Sequence, residues 1–176
     1  SIRMPAGFCG IFGIKPTFGV VPAYPQSTMG SLSHHGPMTR TVTDAAPMLT
    51  VISEPDPRDW YAGPYRMINY HEDLEADISG LRIAYSRSLG YATVDDHVSE
   101  VVEKSVHHFE ELGAEIFEVD PGIEDPIEPM ITLWSVGLAL LIENTPAHKR
   151  GLMDKPILEL AERSEEHTSE LQSRTK

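Results

Sequence analysis

A strand–helix–strand pattern between residues 81 and 119 constrains the fold more than any other part of the chain. Residues 81–85 predict a strand, and Asp95 or Asp96 is placed to cap a following helix. One face of that helix carries Val98, Val101, Val102, Val106, Phe109 and Leu112. Gly113 ends the helix, and residues 114–119 predict a second strand. Two strands joined in this way form a parallel pair with a right-handed crossover, which predicts an α/β fold.

Two motif blocks occupy the first part of the chain. The first reads Ser1-Ile2-Arg3-Met4-Pro5-Ala6, then Phe8-Cys9-Gly10, Gly13-Ile14-Lys15-Pro16-Thr17 and Gly19-Val20-Val21. The second reads Ser31-Leu32-Ser33-His34-His35-Gly36-Pro37-Met38-Thr39-Arg40-Thr41-Val42-Thr43-Asp44-Ala45-Ala46. The two blocks and the distance between them resemble the amidase signature family. Residues 54–163 fit the layout of that family but carry no diagnostic motif.

The resemblance implies a serine hydrolase of carboxylic amides, on an α/β fold with a mixed central sheet covered by helices. The family uses a serine nucleophile, a second serine held by a cis peptide bond, and a lysine. A hydroxyl group needs a base to become a good nucleophile, and a lysine is a base only when desolvation keeps it neutral. Backbone N–H groups of a glycine turn would hold the oxyanion. Ser1 stands where the family has its nucleophile.

The chain departs from the family pattern at its first residue. In the family the lysine, the second serine and the glycine turn precede the nucleophile, and nothing precedes Ser1. Lys15 does not replace the missing base, because it belongs to the turn motif before Pro16, where an extended backbone is favoured. We therefore expect residues 1–163 to be a partial amidase domain truncated at both ends. We also expect this chain alone to be inactive.

Three alternatives stay open. An N-terminal serine with a free α-amine can serve as its own nucleophile and base. The A subunit of a tRNA-dependent amidotransferase belongs to the same family. A chain without its catalytic lysine is also consistent with a non-catalytic binding module.

The proline- and serine-rich stretch 23–35 is predicted to be a loop, after a short strand at Val20 and Val21. In the family this loop crosses near the site. The resemblance therefore makes Met29, His34 and His35 candidate substrate-binding residues.

A short turn or helix is expected over residues 5–10, with Cys9 as a small core residue and Arg3 as a buried charge partner. A longer helix should follow, because Thr41 and Asp44 have the spacing of a capping box. A start at Thr43 would instead place Pro47 within the first turn. The apolar side of this helix is predicted to comprise Met48, Leu49, Val51 and Ile52.

Residues 126–143 are apolar on nearly every side, which is typical of a helix buried in a larger body. Left uncovered, such a surface favours association, so a homo-oligomer is possible. A final helix is expected over residues 157–163. Residues 164–176 hold one aliphatic residue and look like a disordered, foreign tail.

Composition excludes several classes of function. The net charge of −13 disfavours phosphate contacts, so we expect no nucleic-acid partner. No apolar run reaches the roughly 20 residues of a membrane helix. One cysteine excludes an internal disulfide, and the eight histidines lack zinc-ligand spacing. The expected partner is a small amide substrate, the expected location is cytoplasmic, and no cofactor or metal is implied.

Overall fold

The computed structural model describes residues 2–64, 67–72 and 74–163. The predicted tail, 164–176, lies outside the described residues. The described chain forms two compact units. The first comprises the residues up to Leu74 together with those from Pro129 onward, and the second is Glu75–Glu128. Helices and short strands alternate, which confirms the α/β class.

The first unit begins with helix α1, Arg3–Cys9, as expected for this segment. The helix ends in a Schellman motif, because the N–H of Ile11 reaches the carbonyl of Ala6 and the N–H of Gly10 that of Gly7. Strand β1, Phe12–Gly13, then pairs antiparallel with β2, Met38–Thr39, in the register Phe12↔Thr39.

Close packing around Ile2 joins these elements. Ile2 and Ala6 are buried. A Cβ added at Gly13 would lie 2.7 Å from the Ala6 Cβ, and one at Gly36 would lie 2.8 Å from Ile2 Cδ1 and would clash with the Ile14 carbonyl. The backbone therefore approaches Ile2 closely from segments far apart in sequence.

The strand predicted at Val20 and Val21 is wrong. These residues belong to a turn, in which the Val20 N–H donates to the Thr17 carbonyl at 3.1 Å. Gly19 adopts φ +82°, a left-handed conformation that reverses the chain and that side-chain-bearing residues rarely adopt. A 3-10 helix at Gly30–Leu32 lies within the loop that follows.

Helix α2 spans Val42–Ile52 and confirms the predicted cap. The Thr41 Oγ1 accepts from the Asp44 N–H at 3.1 Å and donates to the Asp44 carboxylate at 2.7 Å. Because the helix begins at Val42, Pro47 lies in its interior and the alternative start at Thr43 is wrong.

The apolar side of α2 is smaller than predicted. Ala45, Ala46 and Leu49 are buried, whereas Met48 and Val51 are exposed. The two alanines and Leu49 therefore make the packed face of this helix.

Helix α4, Ile127–Glu143, confirms the helix that was predicted over residues 126–143. Within the first unit it buries Ser135, Gly137 and Leu138. A short helix, α5, follows at Ala147–Arg150, and residues 155–163 are helical, two residues earlier than predicted. Large apolar side chains of α4 are exposed, as expected for this helix without a cover: Leu133, Trp134, Val136, Leu140 and Leu141.

The second unit is the predicted strand–helix–strand. Strand β3, Arg82–Tyr85, and strand β4, Glu115–Glu118, pair in parallel, with Arg82 opposite Glu115. Helix α3, Asp96–Glu111, joins them and is capped by Asp95. It ends at Gly113, φ +89°, in a second Schellman motif, because the N–H of Ala114 reaches the Phe109 carbonyl.

The apolar face of α3 is exposed. Ser99 is the one residue of this helix that is buried among those described, while Val98, Val101, Val102 and Phe109 are about half exposed. Where the described strands pair, they form two separate two-stranded sheets, one antiparallel and one parallel.

Two expectations for α1 are wrong. Arg3 is exposed and therefore is not a buried charge partner, and Cys9 is exposed and therefore is not a core residue. Phe8, on the side of α1 away from Ala6, is 88% exposed. No helix of the described segments has the length and hydropathy that a bilayer crossing requires.

Candidate functional site

Ser1, the predicted nucleophile, lies outside the described residues. The structure does fix the position of its neighbour, Ile2, which is buried at the N-cap of α1. The chain immediately after Ser1 is therefore anchored in the packed region that carries the two motif blocks, residues 2–63, which we call the motif region.

An apolar depression adjoins this point. Ile2 lines it together with His34 and His35, two of the predicted site residues. The remaining lining residues are mostly apolar: Val21, Pro22, Gly36, Met38, Met48 and Ile52. The fold thus places both histidines beside the residue that follows Ser1, although about thirty positions separate them in sequence.

The two histidines also line a small cavity of about 20 Å³, which has room for one water molecule. Phe18, Asp59 and Tyr61 lie on its wall. We call residues 23–35, which carry both histidines, the histidine loop.

His34 is held by one hydrogen bond and one ring contact. Its Nδ1 lies 3.2 Å from the Leu32 carbonyl and donates to it. A carbonyl oxygen can only accept, so Nδ1 carries the hydrogen of this bond. Phe18 meets the ring edge-on at 5.6 Å, and Tyr61 lies 5.8 Å from Phe18.

Met29 is placed differently from the histidines. It packs on α4, where a Cβ added at Gly137 would lie 2.7 Å from the Met29 sulfur. Its position joins the histidine loop to the helix.

Lys15 is bound locally. Its ammonium group donates to the carbonyl of Pro16 at 2.7 Å. Across the part of the chain that the structure describes, no three His, Cys, Asp or Glu side chains are grouped as metal ligands.

Asp59 is a residue that the sequence did not single out. It is 7% exposed and accepts hydrogen bonds from the backbone N–H groups of Ala23 and Tyr61 and from the side chain of Gln26. The Ala23 N–H is the main cause that lowers the pKa of this carboxyl, so Asp59 stays ionised. Two of these partners, Gln26 and Ala23, lie 33 and 36 positions away in sequence, and no local sequence pattern reveals them.

Comparison with known proteins places the chain in a family. The family model described as Amidase matches residues 1–170. An acylamidase of Rhodococcus erythropolis is 36% identical over 174 residues, which is 96% of this chain and 36% of that enzyme. The A subunit of the glutamyl-tRNA(Gln) amidotransferase of Caldanaerobacter subterraneus subsp. tengcongensis is 41% identical over 120 residues, 68% of this chain and 25% of that protein.

Solved structures agree on the fold. A bacterial aryl acylamidase of the amidase signature family superposes with a TM-score of 0.79 at 22% identity, over 93% of this chain and 36% of that one. The peptide amidase of Stenotrophomonas maltophilia gives a TM-score of 0.71 at 26% identity, over 92% of this chain and 38% of that enzyme. The chain thus spans little more than a third of these enzymes. By its two motif blocks, its family match and its fold, it belongs to the amidase signature family.

Proposed function

We propose that this chain is part of an amidase that hydrolyses a carboxylic amide through an acyl-enzyme on Ser1. The observation that carries the proposal is the 36% identity to an acylamidase along 96% of the chain. In this mechanism the Ser1 hydroxyl attacks the amide carbonyl, the amine leaves with a proton, and water then releases the acid.

His34 and His35 are proposed to line the pocket for the substrate, because they share an apolar depression with Ile2. Met29 is proposed to act at that pocket through the histidine loop, since its own contact is with α4. We further propose a partial amidase domain over residues 1–163, a foreign tail over 164–176 and a cytoplasmic location, with no cofactor. We also propose that the chain associates with itself, because the face of α4 is apolar.

A chimera tests the proposal. Residues 1–163 replace the matching segment of the Rhodococcus erythropolis acylamidase, so that the relative supplies the rest of the fold. We expect the chimera to hydrolyse short aliphatic amides, and Ser1→Ala to lower the rate by about a thousandfold or more, as loss of a nucleophile does. A folded chimera without hydrolysis would contradict the proposal.

We propose that the isolated chain is inactive, and the same assay on the isolated chain tests this. It should not hydrolyse the same amides, because the resemblance places its base and its oxyanion turn in segments that the sequence does not hold. Turnover by the isolated chain that is lost in Ser1→Ala would show that this part of the proposal is wrong.

A second candidate is the A subunit of a tRNA-dependent amidotransferase, favoured by the 41% identity over 120 residues. The net charge of −13 weighs mildly against a direct RNA contact. Hydrolysis by the chimera without partner proteins or RNA would support the amidase; dependence on both would support the amidotransferase.

A further inference from the structure

We infer that Asp59 is a positioning residue, which together with Arg58 fixes the histidine loop at the substrate pocket. The inference rests on the proposed function, because that function makes His34 and His35 pocket residues. It adds a segment, residues 56–61, that neither motif block contains.

The carboxylate of Asp59 joins residues 23–26 to its own segment of the chain. Its Oδ2 accepts from the Ala23 N–H at 2.8 Å, and its Oδ1 accepts from the Tyr61 N–H at 2.9 Å and from the Gln26 side-chain amide. Hydrogen bonds to an ionised acceptor are about twice as strong as neutral ones, and burial keeps water from competing for them. Asp59 therefore fixes the start of the histidine loop.

Arg58 holds the same stretch through a ring. Its guanidinium lies 4.6 Å from the centroid of the Tyr24 ring, a cation–π contact. The guanidinium is itself oriented by Asp56, with Nη2–Oδ2 at 2.6 Å and Nε–Oδ1 at 2.9 Å. Two consecutive side chains, Arg58 and Asp59, thus hold residues 23–26.

Asp59 is linked to His34 through contacts of Tyr61 and Phe18. Asp59 binds the Tyr61 N–H, the Tyr61 ring contacts Phe18, and Phe18 contacts the His34 ring. The Gly63 N–H donates to the Gly19 carbonyl at 2.9 Å, which ties the segment after Tyr61 to the turn that carries Phe18. Loss of the Asp59 carboxylate should therefore loosen both ends of the histidine loop.

Hydrogen exchange on the full chain tests this directly. In Asp59→Asn, the NH2 of a side-chain amide replaces one carboxylate oxygen and faces a donor that needs an acceptor, so we expect exchange in residues 23–35 to rise about tenfold. Amides of α4 and of residues 75–128 should be unchanged. Asp77→Asn is the matched control, because Asp77 is also an aspartate with a lowered pKa but bonds locally to Ser79.

Gln26→Ala provides a second variant that removes one bond and leaves the carboxylate in place. It should raise exchange in the same residues by a smaller factor. Unchanged exchange of the histidine loop in both variants would overturn the inference. An equal rise throughout the chain would overturn it as well, because that result describes general loss of stability.

The acylamidase chimera adds a readout that stability alone does not move. With Asp59→Asn we expect KM to rise about tenfold and kcat to change less than about twofold, since the pocket wall moves while the nucleophile does not. An equal fall of kcat with KM unchanged would contradict positioning of the pocket. A chimera that never shows activity contradicts the proposed function, and the exchange result then decides the role of Asp59 alone.

Discussion

The motif region, residues 2–63, and the strand–helix–strand unit, residues 75–128, are held together in different ways. In the motif region, Asp59 bonds residues more than thirty positions away, and Gly36 lies against Ile2 and the Ile14 carbonyl. In the second unit, the side-chain bonds of Asp95 and Asp77 span two or three positions, and those of Arg87 to Asp96 and Ser99 span nine and twelve. The backbone bonds of longer range lie at the two paired strands and between Gly80 and Gly113. The positions of side chains in the motif region therefore depend on residues more than twenty positions away in sequence, whereas most side-chain bonds of the second unit join residues that are close in sequence.

The largest expected effect tests close packing in the motif region. Gly36→Ala should lower the free energy of unfolding by about 3 kcal/mol, because its Cβ would meet backbone and two packed side chains. Gly113→Ala in the second unit should cost about 1–2 kcal/mol, the strain of a left-handed residue. Urea denaturation of the two variants measures the difference.

Gly7→Ala serves as the control for both glycine variants. Gly7 lies within α1, and nothing lies within 4 Å of a Cβ added there. It should stabilise the protein by about 0.5–1 kcal/mol. If Gly36→Ala costs no more than Gly113→Ala, the contrast between the two regions is wrong.

Acid should loosen the motif region through Asp59. Its folded-state pKa lies below the ordinary value of 3.8, so its contribution to stability is present above about pH 4 and is lost as the pH falls through the folded pKa. Asp56, whose pKa is lowered to about 2 chiefly by hydrogen bonds from Arg58, loses its contribution in the same direction.

Trp60 reports this change, because its ring lies 6.0 Å from that of Tyr61. In a Trp134→Phe background, Trp60 fluorescence should change between about pH 4 and pH 2. Asp59→Asn should reduce this pH dependence. The same titration in both proteins would show that Asp59 does not hold the segment.

The smallest expected effect is equal in the two regions. Thr41→Ala removes the cap of α2 and Asp95→Ala the cap of α3, and each should cost about 1 kcal/mol. Thr43→Ala, in the exposed first turn of α2, should change stability by less than about 0.5 kcal/mol. Urea denaturation measures these changes in the free energy of unfolding. A much larger loss for one cap variant would show that this side chain stabilises more than the helix that it caps.

The same contrast explains what the sequence could predict. Helices α2, α3 and α4 and the parallel pair were predictable, because a cap, a glycine stop and an apolar period are local signals. The family was predictable from contiguous motifs. The turn at Val20 was not, because two valines favour a strand while the φ of Gly19 decides otherwise.

The candidate site was predictable only in part. His34 and His35 lie in a recognisable block, and they share the depression with Ile2. Asp59 gave no signal, because its role depends on a carboxylate meeting Ala23 and Gln26 across an intervening helix. The burial of Cys9 was predicted wrongly, since a small apolar run does not reveal which side of a short helix is covered.

The exposed thiol of Cys9 has a practical consequence for biochemistry. It is the sole cysteine of the chain and lies beside the exposed Phe8, so two molecules can form an intermolecular disulfide during purification in air. Such covalent dimers would imitate association through α4 in gel filtration. A reducing agent, or a Cys9→Ser variant, separates the two. The same thiol offers a single attachment point near the N-terminus for a fluorescent label that accepts energy from Trp60.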